Sequence, residues 1–174
     1  MKLLALLLLL LAAPALASAA LQMDVPALTA AATDVIDGQV VSSRSVWTGD
    51  HRRIVTRVVV EVREAWKGGA TGRITVVQPG GELDGIGQHV SGVAALSSGE
   101  RVVLFLERSG AQHRIVGLAQ GVYRVVPGDG TDGLLAVPAH LDGLELVAPP
   151  GQRPAARAPT PISALRASVR AANQ

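Results

Sequence analysis

The sequence predicts a mainly β protein: a small antiparallel barrel of about five to seven strands, with a short N-terminal helix and a C-terminal helix. Residues 52–65 alternate apolar and polar side chains over a length that suits a bent strand in a closed sheet. Residues 101–107 are apolar at successive positions, which is typical of a central strand covered on both faces. Glycine-containing turn clusters separate these and the other apolar runs, as expected for an all-β domain.

The first residues have the pattern of an export signal. Lys2 precedes an almost pure leucine run at 3–11, and small residues at 17–19 provide a cleavage site after Ala19. The apolar run is shorter than the ~20 residues that a helix needs to cross a bilayer, which argues against an N-terminal membrane anchor. We therefore expect residues 1–19 to be a signal peptide and the rest of the chain to be secreted or periplasmic.

The 174-residue chain contains no cysteine. It therefore has no site for lipid attachment through cysteine, and no disulfide supports the fold. This composition fits a bacterial periplasmic or extracellular protein. No second long apolar run follows the leader, so we expect no integral membrane segment after signal cleavage.

Charge is distributed unevenly along the chain. Residues 20–148 contain eleven basic and fourteen acidic side chains, whereas 149–174 contain four arginines and no acid. A nucleic-acid partner would require a basic patch on the domain with aromatic side chains for stacking, and the chain has only four aromatics. We expect no nucleic-acid binding. The basic tail is either a solvated segment or a contact to an anionic surface.

Composition divides the chain into a signal peptide at 1–19, a β-barrel domain at 20–148, a Pro/Ala/Arg-rich linker at 149–160 and a C-terminal helix at 161–174. We expect Thr160 to cap this last helix and Pro161 to occupy its first turn. Its apolar stripe predicts that it docks back on the domain.

Within the domain, we expect one short helix followed by β structure. The helix is predicted at 26–34, with Pro26 in its first turn. Gly38 marks a bulge or bend in the first strand. We predict that the two short strands at the end of the domain, 134–137 and 144–147, form one added hairpin around 140–143. The predicted strands are 35–47, 52–65, 73–78, 101–107, 113–118, 121–126, 134–137 and 144–147.

Residues 80–99 are rich in glycine and predict a long loop with a short strand at 89–91. Long loops in compact domains are often functional or mobile, so this loop is the candidate contact region. Gly80-Gly81 and Gly85-x-Gly87 could cradle an anion, but no Lys-Ser/Thr follows, and the glycines are better explained by backbone geometry.

No arrangement of reactive side chains predicts catalysis or metal binding. The four histidines have no ligand spacing, and we interpret them as surface or partly buried side chains; they are His51, His89, His113 and His140. Ser91, Ser97 and Ser98 lack a nucleophile-elbow pattern. Glu82 and Asp84 form a carboxylate pair with no predicted opposing group. We expect no enzyme, no metal and no cofactor.

The two tryptophans, Trp47 and Trp66, flank the long strand predicted at 52–65. Exposed tryptophans would mark a binding surface, whereas buried ones would close the two ends of the core. We favour the core, because both residues follow apolar strand positions.

Three short motifs, DVIDGQV at 34–40, AWKG at 65–68 and GERVVLF at 99–105, resemble the OB-like barrel of tissue-inhibitor-of-metalloproteinase and netrin-type modules and their secreted bacterial relatives. The likeness covers about residues 30–126. The glycines at 80–92 and the stretch VGLAQG at 116–121 also resemble an uncharacterised bacterial exported family. Inhibitors of the netrin-like class engage the protease metal through an N-terminal cysteine. This chain has none, so the resemblance implies a fold and transfers no functional residue.

These observations favour an exported, non-enzymatic binding or protein-interaction module whose partner is another secreted or envelope protein. Two alternatives are an envelope-associated structural protein that uses the basic tail, and a protease inhibitor or protease partner by analogy of fold. A hydrolase would require two carboxylates or two histidines that distant loops bring together in a cleft.

Overall fold

The computed structural model describes residues 18–128, 133–151, 153 and 156–174. Most of the predicted signal peptide and part of the predicted linker therefore lie outside the described residues. Within the described part, no helix is long and apolar enough to span a membrane.

The protein is mainly β. The helices are α1 (Val25–Ala31) and α2 (Ile162–Ala172), with one 3-10 turn at Leu118–Gly121. The strands are β1 (Ser18–Leu21), β2 (Asp34–Trp47), β3 (Ile54–Lys67), β4 (Arg73–Pro79), β5 (Gly81–Leu83), β6 (Ile86–Gln88), β7 (Arg101–Ser109), β8 (Gln112–Ile115), β9 (Val122–Pro127), β10 (Leu134–Pro138), β11 (Leu144–Val147) and β12 (Thr160–Pro161).

Eight strands form the main sheet in the order β12-β10-β9-β7-β2-β3-β4-β8. Because β8 also pairs with β7, the strands β7, β2, β3, β4 and β8 form a closed ring of pairings. The predicted antiparallel arrangement holds for the other described pairings of this sheet, but β4 and β8 are parallel, through the pair Val76 and His113. A parallel pair requires a long crossover, and the chain between β4 and β8 provides one.

Strand β7 separates two cores, as its apolar residues on both faces predict. Val102, Leu104 and Leu106 belong to the cluster that includes Val58 and Val60 of β3. Val103 and Phe105 belong to a second cluster, formed with α1, α2, Trp66 and Tyr123. The two clusters explain why this run is fully buried without alternation.

The long β2–β3 ladder bends as the sequence predicts. Register shifts occur at Val35/Ile36, Asp37/Gly38 and Val40/Ser42. A Cβ on Gly38 would lie 2.7 Å from Val60 Cγ1, so glycine lets the two strands approach at the bend.

Both helices pack on the sheet. Asp24 caps α1 by accepting a hydrogen bond from the Ala27 amide (2.8 Å), and Pro26 lies in the first turn. Helix α2 buries Leu165 and Val169, which confirms that it docks on the domain.

The predicted cap of α2 is wrong. Thr160 and Pro161 pair with β10 instead, and Pro161 occupies the N-cap position with no side-chain hydrogen bond. The threonine hydroxyl therefore does not cap the helix.

The predicted hairpin between 134–137 and 144–147 is also absent from the described residues, although both strands exist. Strand β10 lies between β9 and β12, so both of its edges are occupied. Strand β11 therefore pairs elsewhere, in parallel with β1. The predicted strand 113–118 is shorter than expected: β8 ends at Ile115, and Gly117 and Leu118 turn the chain with φ of 65° and 56°.

Candidate functional site

A small hairpin stands at one end of the ring, where we predicted a long loop. Strands β5 and β6 pair across Asp84 and Gly85, whose φ values of 53° and 75° fit a type I′ turn. The predicted strand at 89–91 is wrong. The sequence carries the signal for the hairpin, because an Asp-Gly dipeptide between Leu83 and Ile86 is a strong indicator of a two-residue turn.

Specific contacts seat the base of this hairpin on β2 and β3. Gln88 Oε1 accepts a hydrogen bond from the Ile54 amide (2.8 Å), and the Thr56 hydroxyl donates to the Gly80 carbonyl (2.8 Å). Gly81 lies directly against the hydroxyls of Ser45 and Thr56, where a Cβ would overlap both oxygens. Only glycine allows this close approach of the backbone.

The hairpin borders a recess of about 480 Å³ at the end of the ring. Its wall carries the hydroxyls of Ser43, Ser45 and Thr56, and Ser45 Oγ lies 3.3 Å from Thr56 Oγ1. Gln78 is buried and donates from its amide to the Ala94 carbonyl (3.0 Å). Further lining comes from Glu82, Gln88, His89, Val90 and the 93–96 segment.

The recess is equipped for hydrogen bonding to an uncharged polar group. Besides Glu82 and His89, its wall presents neutral hydroxyls, amides and backbone groups, which can donate to and accept from a peptide or another polar chain. Nucleophilic catalysis would require a hydroxyl bonded to a base. Among the residues described, no serine or threonine hydroxyl bonds a histidine. The same part of the chain has no group of three or more potential metal ligands.

The four histidines lie in different environments. His51 is exposed and stacks against Trp47 at 6.3 Å between ring centroids. His89 is exposed beside the recess, and His140 is exposed 3.9 Å from Asp142. His113 is buried, and its Nε2 lies 3.7 Å from an Asp34 carboxylate oxygen. The structure brings no two histidines together.

The other candidate residues do not converge on one point. Glu82 and Asp84 are both exposed on the hairpin, and Ser97 and Ser98 are exposed before β7. Ser91 is partly buried below the recess segment.

The tryptophans differ from each other. Trp66 is buried in the second core, as predicted, whereas Trp47 is only partly buried at the end of β2. The prediction that both close the core is therefore correct for Trp66 alone.

Two buried carboxylates explain the DVIDGQV motif. Asp34 accepts hydrogen bonds from the Gly69 and Ala70 amides (3.1 and 3.2 Å) and from Arg108 (3.2 Å). Asp37 forms a two-point ion pair with Arg101 at 2.9 and 2.6 Å, and this bond raises the pKa of the guanidinium. Both carboxylates are fully committed to structural contacts.

The VGLAQG motif holds the N-terminal segment in place. Gln120 is buried; its Oε1 accepts from the Met23 amide (2.8 Å) and its Nε2 donates to the Leu21 carbonyl (3.1 Å). Ala119 donates its amide to the Gly92 carbonyl at 2.7 Å. One short motif therefore ties together the N-terminal segment and the end of the glycine-rich stretch.

Arg157 connects the predicted linker to the same motif. Its guanidinium donates to the carbonyls of Ala119, Gln120 and Ala139 at 3.1–3.2 Å, and burial lowers the pKa of this arginine. Tyr123 lies nearby in the second core, where burial raises the pKa of its phenol and the charge of Arg157 partly opposes that rise. The tail is thus in contact with the domain at this point.

Tyr123 provides a spectroscopic test of this packing, because it is the single tyrosine of the chain. An unfolded tyrosine ionises near pH ~10. Since burial raises the pKa of Tyr123, the native state keeps its proton where the unfolded state loses it. Stability should therefore be intact below pH ~10 and fall as the pH rises through the native pKa.

Alkaline titration of phenolate absorbance, in native and urea-unfolded protein, measures this difference directly. We expect the native curve to lie at higher pH. Coincident curves would show that Tyr123 is solvated. The Tyr123→Phe variant should lose the absorbance signal and part of the alkaline loss of stability.

Sequence reasoning did not identify the hydroxyl-lined recess, Gln120 or Arg157. The recess forms where the ends of β2, β3 and β4 come together, and no local sequence pattern predicts which strand ends meet. Comparison of the chain with protein-family models, curated proteins and solved structures finds no match.

Proposed function

We propose that this protein is an exported, non-enzymatic binding module with an OB-like barrel, and that the hairpin β5–β6 and the adjoining recess contact another secreted or envelope protein. The ring of five strands closed by one parallel pair supports the barrel assignment. The leader pattern at 1–19 supports export.

The observation that carries the proposal is Ile86 at the tip of the hairpin. Its side chain is 53% exposed beside a recess that offers neutral hydrogen-bonding groups. An apolar side chain next to groups that can form hydrogen bonds fits the central part of a protein interface, in which apolar contact is combined with a few directed hydrogen bonds.

The alternative of an envelope protein that uses a basic tail has weaker support. Arg157 bonds backbone carbonyls, and Arg166 and Arg170 pair with Glu64 at 3.1 and 3.3 Å. Three of the four tail arginines thus already have partners within the chain, which leaves less free positive charge for an anionic surface.

Affinity capture tests the proposal. The purified protein is immobilised and exposed to the secreted and periplasmic fraction of its source cells, and the Ile86→Ser variant is compared with Val147→Ser. Val147 is the matched control, because it is an apolar strand residue of similar exposure (48%) on β11. We expect a stoichiometric partner that Ile86→Ser loses and Val147→Ser retains. Equal retention by both variants would contradict the assigned contact region, and a captured protease would support the inhibitor analogy.

A further inference from the structure

The outer face of β2, β3 and β4 carries an unusual pair of arginines. In the strand register, Arg44 lies directly opposite Arg57. Cross-strand neighbours of like charge destabilise a sheet, because their Cβ atoms are only ~5 Å apart. Elsewhere on the same face the pairing is complementary: Arg73 lies opposite Glu61 and bonds it at 2.7 Å.

No acidic side chain compensates this pair in the register. The rows on either side are neutral, and Arg57 lies opposite Val77 on its other flank; the adjacent positions are Ser42, Val46, Val55, Val59, Thr75 and Pro79. Neither guanidinium forms an ion pair or hydrogen bond with any described residue, and both side chains are exposed. The repulsion between the two arginines therefore destabilises the sheet, and no described side chain that pairs with them offsets it.

An apolar groove continues from this face. Strands β4 and β8 pair only at Val76 and His113, and beyond that point they enclose a cavity of about 460 Å³. Its walls include Val55 and Val77, next to Arg57 in the register. The remaining apolar lining residues are Ile54, Pro79, Val93, Ile115 and Leu118.

Among the charged residues that line the groove, two are basic and one is acidic; its other polar residues, Thr48, Gln78 and Gln88, are neutral. Arg53 and Arg114 line it, and Glu107, opposite Arg114 in the β7–β8 ladder, is the one acidic residue among its described lining residues. Leu118 lies in the groove with a φ of 56°, a backbone conformation that is costly for a leucine. Together, the face and the groove present four arginines around an apolar floor.

We propose that this arginine face, defined as Arg44, Arg57, Arg53 and Arg114 with the β4–β8 groove, binds an extended acidic segment of another protein. An extended chain alternates its side chains, so carboxylates can reach the arginines while apolar residues enter the groove. Beyond Val76, β4 pairs with no described strand on the side of β8, so its backbone groups there are available to an added strand in the groove. A nucleic acid or polysaccharide fits less well, because three of the four aromatic side chains, Trp66, Phe105 and Tyr123, are buried, which leaves the partly buried Trp47 as the one ring that could stack on a ligand. This proposal does not depend on the recess or on Ile86.

The test is direct binding of a labelled twelve-residue peptide of alternating glutamate and valine, measured by fluorescence anisotropy at low and physiological salt. The variant is Arg44→Glu, and the matched control is Arg63→Glu, which makes the same charge change on β3 outside the face. We expect Arg44→Glu to weaken peptide binding by about tenfold or more and Arg63→Glu to change it by less than about twofold.

Thermal unfolding shows whether a loss of peptide binding results from a lost contact or from a less stable fold. Because Arg44→Glu places opposite charges across β2 and β3, its unfolding midpoint should equal or exceed that of the wild type. Loss of binding together with a lower midpoint would overturn the assignment to a direct contact. Absence of peptide binding, equal weakening by Arg63→Glu, or equally tight binding of a lysine–valine peptide would also overturn it. Tighter binding to phosphatidylglycerol vesicles or to a sulfated polysaccharide, with the same dependence on Arg44, would overturn the proposal. The ligand of the arginine face would then be a membrane or an anionic polymer and not an acidic polypeptide.

Discussion

Replacement of Asp34 by alanine should destabilise the protein by about 3 kcal/mol. The carboxylate is 1% exposed and accepts from the Gly69 and Ala70 amides, with Arg108 and His113 beside it. Its removal leaves two backbone donors of the β3–β4 turn without their acceptor. Arg108 contributes less to the loss, because its side chain is 55% exposed and can be solvated by water.

Urea unfolding measures the effect as a shift in midpoint at unchanged slope. Asp142→Ala serves as the control: this aspartate is 56% exposed in a loop, and because its φ of 35° favours aspartate over alanine, we expect a smaller loss of about 1 kcal/mol. Asp34→Asn should fall between the two, because the amide keeps an acceptor oxygen but loses the charge. A shift for Asp34→Ala no larger than that for Asp142→Ala would contradict the assigned network.

This network gives the DVIDGQV and AWKG motifs a physical basis. The sequence identified both stretches but not the contact between them, because Asp34 and Gly69 are 35 positions apart. Gly68 has a φ of 79°, and its α-carbon faces the Asp34 carboxylate so closely that a Cβ would overlap it. Asp34 and Gly68 are therefore accounted for by the geometry of one turn.

Long strands with a clear apolar pattern were predictable, and pairings between short strands were not. Strands β2, β3 and β7 lie within two residues of their predicted bounds, because burial on one or both faces determines their patterns. The parallel closure of the ring rests on a single residue pair between Val76 and a four-residue strand. A strand that short has no periodicity of its own, so its partner depends on tertiary packing.

The candidate site was likewise predictable only in part. The Asp84-Gly85 dipeptide is typical of a hairpin turn, but the many glycines in 80–99 favoured the prediction of a loop. The hydroxyls of the recess occupy alternate positions of β2, and one position of β3, where a strand pattern normally predicts core residues. The composition of 149–160 predicts a linker that includes Arg157. The hydrogen bonds from this one side chain to three backbone carbonyls cannot be predicted from composition.

The tail arginines illustrate why charge counts alone could not decide between a solvated segment and a surface contact. Helix α2 places Arg166 and Arg170 one turn apart, so both reach Glu64 of β3. Arg166 also lies 5.8 Å from the centroid of the buried Trp66 ring. These contacts turn a segment that is basic in sequence into one that is partly neutralised in the fold.

Replacement of Gln120 by alanine should cost about 2–3 kcal/mol and release the segment before α1. Its side chain is 1% exposed and makes two hydrogen bonds to the Leu21 carbonyl and the Met23 amide, nearly 100 positions away in sequence. Without the glutamine, both backbone groups lose their partner, and the side chain leaves a cavity next to Gly117. After this change, the pairing of β1 with β11 and the hydrogen bond from the Gln22 amide to the Val147 carbonyl (2.8 Å) still hold the segment against β11.

Hydrogen–deuterium exchange separates this local release from general unfolding. In Gln120→Ala, the amide of Met23 should exchange much faster than in the wild type, while amides in β7 should exchange faster only in proportion to the loss of global stability. Gln39→Ala is the control, because Gln39 is exposed and makes one long hydrogen bond of 3.4 Å. Gln120→Glu should keep the bond to Met23 but lose the one to Leu21, since a carboxylate accepts and does not donate. If Met23 stays protected in Gln120→Ala, then α1 and the strand pair β1–β11 hold the segment by themselves, and the VGLAQG motif serves only the turn that leads into β9.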